Sequence, residues 1–241
     1  MGGAGLSILY EDEALLVVDK PAGIHTAPLR AGETGTLLAL VLAAFPEVEA
    51  VPGLKPVEPG LLHRLDRETS GVVVVARTQA AFNTLLGQFQ REETAKEYHA
   101  VCSTDERVVI ANHLRIESRF VPAGPGRRAV RLVLPGDERK RWSREATPKS
   151  YVTEASVEKR AAGRALVAAA IRKGFRHQVR AHLAHLGLPI LGDPLYGVPA
   201  PPGAPQRMYL HASAITFQHP VSGRQLHVRS PLPPEFQEIL G

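Results

Sequence analysis

The chain has 241 residues, is 44% hydrophobic, and carries a formal charge of +5 with a pI near 9.6. That is enough apolar material for one large or two small lobes, with a basic balance that suits a polyanionic partner. The single cysteine, Cys102, excludes an intramolecular disulfide; no apolar run reaches membrane-spanning length; and Met1-Gly2-Gly3-Ala4-Gly5 lacks the basic and apolar regions of a signal peptide, so the expectation is a cytoplasmic protein with no membrane partner.

Leu6–Tyr10 and Ala14–Lys20 flank an acidic turn and read as a hairpin, its second strand buried and stopped by Pro21. From Thr36 to Phe45 the chain is apolar on all sides, with threonines placed as N-caps, which predicts a buried helix. A loop rich in proline and glycine, from Pro52 to Gly60, then leads into His63-Arg64-Leu65-Asp66-Arg67-Glu68-Thr69-Ser70-Gly71 and four consecutive valines. This is the pattern of a polar turn feeding a fully buried strand. Two arginines flank Asp66, and nearby cations favour the charged form of a carboxylate, so it suits a nucleophile or a stabiliser of positive charge better than a general acid. Read locally, Asp66 is either such a group or a salt-bridged turn residue.

Thr78 can cap a packing helix whose apolar positions are Phe82, Leu85, Leu86 and Phe89. Thr94–Val101 alternates like a half-exposed strand, on which Tyr98 is either an ordinary amphipathic tyrosine or a ring available to a base. Residues 115–149 are rich in arginine and show little sustained periodicity; such a stretch either tracks phosphates or is solvated surface. Tyr151–Val157 and Arg164–Ile171, around Ala161-Ala162-Gly163, predict a strand, a turn and a more deeply buried strand. A helix then carries Val179, Leu183 and Leu186 on one face and ends at Gly187, while Arg176 and Arg180 stand one turn apart near its start. Cations there oppose the helix dipole and suggest an anionic partner. The Pro199–Pro205 stretch predicts an irregular loop.

The nonapeptide at Asp66 resembles the central motif of the RluA-type pseudouridine synthases, in which the Asp attacks the target nucleotide. Three more stretches follow the same family: Lys20-Pro21-Ala22-Gly23, Lys96-Glu97-Tyr98-His99-Ala100-Val101, and His177-Gln178-Val179-Arg180 running through Gly192-Asp193-Pro194-Leu195-Tyr196-Gly197. Leu210-His211-Ala212 fits its closing pattern, so the resemblance covers essentially the whole chain. It implies an α+β fold with a central mixed, mostly antiparallel sheet, flanking helices and a basic RNA-binding cleft. It further implies that Asp66 is catalytic, that Tyr98 lies against the base and that Arg180 pairs with Asp66. RNA contacts fall to Arg64, which would fill the gap left by a flipped nucleotide, and to Arg67, Arg176, His177 and Gln178. The family usually begins its third motif Gly-Arg-x-His-Gln, whereas this chain reads Gly174-Phe175-Arg176-His177-Gln178, with the arginine displaced by one residue.

The expectation is therefore a monomeric RNA pseudouridine synthase acting on ribosomal or transfer RNA, needing no cofactor and no metal. Its domain organisation is expected to be a single catalytic domain over 1–241, with no room for a separate N-terminal RNA-binding domain. Whether Asp66 attacks the sugar or abstracts a sugar proton stays open. A metal at His182 and His185 is disfavoured because His177 lies well around the helix, and Ser70 lacks the preceding glycine of a nucleophile elbow. The remaining alternative is a non-catalytic RNA-binding protein on the same fold, which would not need Asp66.

Overall fold

Apolar runs become buried strands, and threonines start the first two helices. In the computed structural model, which describes residues 5–30, 32–105, 111–137 and 139–241, strands β1 (Ser7–Glu11) and β2 (Leu15–Lys20) precede helix α1 (Leu37–Ala44). Strand β3 (Ser70–Ala76), helix α2 (Gln79–Gln90), and strands β4 (Ala95–Ser103), β5 (His113–Ala123) and β6 (Ala129–Val133) follow. Next come β7 (Tyr151–Ala161), β8 (Arg164–Ile171), helix α3 (Gln178–His185), β9 (Leu210–Gln218), β10 (Gln225–Arg229) and the short helix α4 (Pro234–Glu238). Contacts divide the chain into two compact units, the first of 1–96 with 211–232 and the second of 97–210 with 233–241.

In the first unit the strand order is β1-β2-β3-β9, with β10 on β9. Neighbours are antiparallel except β3 and β9, which run parallel through Ser70↔His211 and Gly71↔Ala212. Every residue of β3 is buried. Its valines Val72–Val75 each bring roughly 1.5–3 kcal/mol of gross hydrophobic stabilisation, which is what holds the end of the Asp66 turn in place. Thr36 and Thr78 accept from the Ala39 and Ala81 amides and so cap α1 and α2. The all-apolar α1 is less enclosed than its composition predicts: Leu37, Leu38 and Val41 are buried, whereas Ala43 and Ala44 face solvent. Alanine there carries helix propensity without needing burial.

In the second unit the order is β4-β8-β7-β5-β6, with the β8–β7, β7–β5 and β5–β6 pairs antiparallel. Ala162 and Gly163, at φ 47° and 73°, make the tight β7–β8 turn expected from Ala161-Ala162-Gly163. The stretch 115–149 is more regular than its sequence predicts, since it holds most of the eleven-residue β5, all of β6 and a 3-10 turn at Arg141–Glu145. On β5, Ile116, Ser118 and Phe120 alternate inward. The serine disguises the period because its hydroxyl is satisfied by His182, 2.9 Å away.

Phe120 is the centre of this unit's aromatic packing. It stacks on Phe175 and His182, with ring centroids 4.9 and 5.0 Å apart, and meets Tyr151 edge-on. Both ring nitrogens of His182 are occupied, by Ser118 and by Thr153 Oγ1 at 2.7 Å, which leaves neither for a metal. Burial, helped by the neighbouring His185, pushes its pKa down to about 4. The unfolded chain takes up this proton near pH 6.5 and the folded chain only near 4, so the unfolded state binds more protons between those values and stability falls as pH drops through that window. The full loss amounts to about 3 kcal/mol. Thermal melts of His182→Gln are expected to lose that part of the pH 6.5-to-4 slope; an unchanged slope would rule His182 out as its source.

Candidate active site

Asp66 sits half-buried in the turn that leads into β3, and main-chain bonds hold the turn on both sides of it. Before it, Thr26 Oγ1 donates to the Leu65 carbonyl at 2.8 Å and accepts the Leu65 amide at 3.1 Å. After it, the Arg67 carbonyl accepts from Gly23 N at 2.9 Å and from the fully buried Lys20 Nζ at 3.0 Å. The other Lys20 bonds go to the Pro21 and Ile24 carbonyls, so the three ammonium hydrogens meet three carbonyls. The Asp66 carbonyl itself accepts the Thr69 amide at 3.1 Å. A carboxylate carried on a turn fixed in this way has little backbone freedom left.

The far end of the turn is bolted to β9. Ser70 Oγ lies 2.9 Å from His211 Nδ1, both residues being buried. Gly71, at φ 115°, passes so close to β9 that a Cβ would overlap the Ala212 carbonyl. This is why the motif ends in glycine. His63 at the other end stacks on Phe89 at 5.4 Å and accepts the Val74 amide through Nε2. Burial, with Lys96 adding to it, pushes the His63 pKa down to about 3, which fits a neutral ring accepting a hydrogen bond. Lys96 lies 4.7 Å from the Phe89 centroid, and its own pKa is pushed down to about 8 by burial.

Sequence reasoning noted Lys20 only as part of a turn motif and passed over Thr26; their role becomes visible only with their partners in place. Thr26→Val keeps the shape and strands the Leu65 amide and carbonyl, at an expected cost of about 1–3 kcal/mol. A urea titration checks this, and a change below about 0.5 kcal/mol would mean the clamp is dispensable.

Arg64 and Arg67 also belong to the first unit. Arg64 reaches Glu58 at 3.0 Å while about half its side chain stays exposed. Arg67 donates through Nε to the Gly23 carbonyl at 2.9 Å and is likewise largely exposed.

The other expected site residues lie in the second unit. Tyr98 is on the buried side of β4, in register with Lys96 and Ala100. His177 adopts the left-handed conformation, φ 58°, at the start of α3, and this kink separates its neighbours. Arg176 stays exposed and donates to the carbonyls of Arg127 (2.7 Å) and Ala129 (3.0 Å). Gln178 turns inward, 2% exposed: its oxygen accepts the Phe175 amide and its NH2 reaches Val152 O and Thr153 Oγ1. With its amide committed in this way, Gln178 braces the loop, whereas the sequence placed it among RNA contacts.

Arg180 meets an anion within its own unit. It forms a two-pronged ion pair with Asp193, Nε to Oδ2 at 2.8 Å and Nη2 to Oδ1 at 2.7 Å, and both side chains are buried. Burial by itself would raise the Asp193 pKa; Arg180 and the Leu195 and Tyr196 amides outweigh it and hold the carboxyl below its ordinary value. The Tyr196 hydroxyl accepts the Val130 amide at 2.6 Å and is hydrogen-bonded to His177 Nδ1 at 3.0 Å. Arg180 also lies over the Tyr196 ring, 5.3 Å from its centroid.

Among the described residues, no group of three or more His, Cys, Asp or Glu is arranged to hold a metal, and no helix is long and apolar enough to cross a membrane. Cys102 is fully buried, which pushes its thiol pKa up and makes it unreactive.

Comparison with known proteins points in one direction. The sequence pattern of the RNA pseudouridylate synthases matches residues 14–185. A protein named ribosomal large subunit pseudouridine synthase D from Xanthomonas campestris pv. campestris is 33% identical, over 98% of this chain and 68% of its own length. The protein of the same name from Pseudomonas aeruginosa is 32% identical over 98% of this chain and 71% of its own. The uncharacterized RNA pseudouridine synthase YlyB of Bacillus subtilis is 30% identical, over 98% and 72%. Among solved structures, human RNA pseudouridylate synthase domain containing 1 superposes with a TM-score of 0.70 at 24% identity, over 96% of this chain and 86% of that one, which shows a shared fold.

Proposed function

The chain belongs to the RNA pseudouridylate synthase family, and from that premise we propose that it isomerises a particular uridine of ribosomal or transfer RNA to pseudouridine, with Asp66 as the nucleophile. The observation that supports this most is the clamp on Leu65 and Arg67, which fixes the backbone on both sides of one carboxylate. A turn residue with only a structural role does not need that rigidity; a nucleophile that must meet one sugar carbon does.

The steps balance without an added reactant. An Asp66 oxygen bonds to C1′ of the ribose as the C1′–N1 bond breaks, and that electron pair stays on the uracil. The uracil turns over, its C5 bonds to C1′ and the carboxylate leaves. Loss of the C5 proton and gain of a proton at N1 complete the isomer. No metal or redox cofactor takes part, and we assign the protein to the cytoplasm as a monomer.

The motif resemblance assigns Tyr98 to the base and Arg180 to the Asp66 carboxylate. An aromatic ring replaces part of the stacking that a flipped uridine loses, and flipping costs a few kcal/mol, less in a loop than in a duplex. A single-stranded or loop uridine is therefore the preferred target.

The test is tritium release from RNA labelled at uracil C5, with large-subunit ribosomal RNA and transfer RNA compared, and wild type set against Asp66→Asn. Release from one RNA class, abolished by the substitution, is the expected result. Tight binding without release from any RNA would overturn the proposal in favour of the non-catalytic reading.

A further inference from the structure

We propose that the basic segment 124–149, built on the β5–β6 hairpin, is a docking arm for RNA phosphates that sets affinity rather than the rate of isomerisation. The inference rests on the RNA substrate proposed above. Eight basic and three acidic residues fall in this segment, an excess equal to the net charge of the whole chain. Arg128, Arg139, Arg141 and Arg144 are exposed, and among the described residues none of them forms an ion pair. Crowding like charges without counter-ions costs folding free energy, and a polyanion relieves it.

A solvated charge run needs no framework, but this segment has one. Arg131 and Lys140 both lie against Trp142, 5.0 and 5.6 Å from its centroid. The Thr147 amide returns the chain to β5 by donating to the Phe120 carbonyl at 2.8 Å. The hairpin is also tied to the segment at the start of α3. Arg176 holds the Arg127 and Ala129 carbonyls, and the Tyr196 hydroxyl joins Val130 to His177. Arg176, one residue removed from the family's usual arginine, thus braces the arm, while Phe175 packs against Phe120.

The chemistry favours nucleic acid over a lipid surface. Six of the eight cations are arginines, whose planar forks match phosphate oxygens. An interfacial membrane segment would interleave exposed large apolar side chains. The exposed large hydrophobics of the described chain are Ile8, Leu29, Leu54, Leu195 and Val221, all outside this segment.

The chain's one tryptophan, Trp142, lies within the arm and makes a direct reporter. Its fluorescence would be followed while the full-length protein is titrated with large-subunit ribosomal RNA, with transfer RNA, and with phosphatidylglycerol vesicles. A saturable change with an RNA, weakened by salt, is expected. In R139A/R141A/R144A the slope of log affinity against log salt should become shallower by about 2–3 and KM should rise about tenfold, with kcat within about twofold. R30A/R115A/R224A removes the same charge outside the arm and should shift KM less than threefold, which separates the arm from net charge. An arm variant that folds, as its melt would verify, and keeps wild-type KM and salt slope overturns the arm while leaving the isomerase reading intact. A response to vesicles but not to RNA also overturns it. A wild type that neither binds nor turns over either RNA overturns both proposals.

Discussion

Asp66→Asn is expected to lower turnover by at least about 10⁴-fold while moving RNA affinity less than about threefold. The amide has the size of the carboxylate but lacks its negative charge, so it is a poor nucleophile and a poor stabiliser of an electron-poor sugar. The fold should tolerate the change, because the turn is held through main-chain atoms of Leu65, Asp66 and Arg67, none of which the substitution alters. Stability should change by no more than about 1 kcal/mol. Tritium release, RNA binding and a thermal melt on the same preparation separate the possibilities. Retention of more than a tenth of the wild-type rate would remove Asp66 from the chemistry. A joint loss of binding and melting temperature would mean that the residue is structural.

The framework that holds Asp66 was legible where sequence carries its own signal. Val72–Val75 and Leu15–Val18 read as buried strands because they are short, valine-rich apolar runs bounded by turn residues, whereas the leucine- and alanine-rich run at α1 follows a threonine cap. Thr36 and Thr78 announced their helices as caps. The Arg-rich 115–149 stretch hid β5, since Ser118 occupies an inward position and becomes acceptable there only because His182, 64 residues away in sequence, satisfies its hydroxyl. Local periodicity cannot register a partner that distant.

The site shows the same division. The Asp66 motif could be recognised as a string, whereas Thr26 lies 39 residues from its partner Leu65 and carries no local mark. Gln178 sits in what reads as a recognition motif, yet the left-handed His177 turns it inward and Arg176 outward. A positive φ at a histidine is not foreseeable from composition, because the conformation is held by the surrounding bonds, including His177 to Tyr196. The two arginines near the start of α3 suggest an anionic partner, yet Arg176 reaches two main-chain carbonyls instead. For Arg180 the structure supplies one from the protein itself, Asp193.

That ion pair yields the second large effect. Asp193→Ala removes the two-pronged partner of the buried Arg180 guanidinium and strips the Leu195 and Tyr196 amides of their acceptor. Removing one member of a buried pair costs about 3–5 kcal/mol. For a chain of this length that lowers the melting temperature by roughly 6–20 °C. The pair also has a defined acid limit. Because the folded Asp193 carboxyl is held below its ordinary value, its contribution is fully present above about pH 4 and is lost as pH falls through the folded pKa. The double variant Arg180→Met/Asp193→Leu tests whether the pair serves stability or function. Exchanging a buried pair for apolar residues of similar volume is often neutral, so much of the melting temperature should return. Turnover should not return, since the apolar variant lacks the cation assigned to the Asp66 carboxylate. If the double variant recovers both, the pair is a packing device with no part in catalysis; if Asp193→Ala shifts the melting temperature by less than about 2 °C, the buried charge is compensated elsewhere.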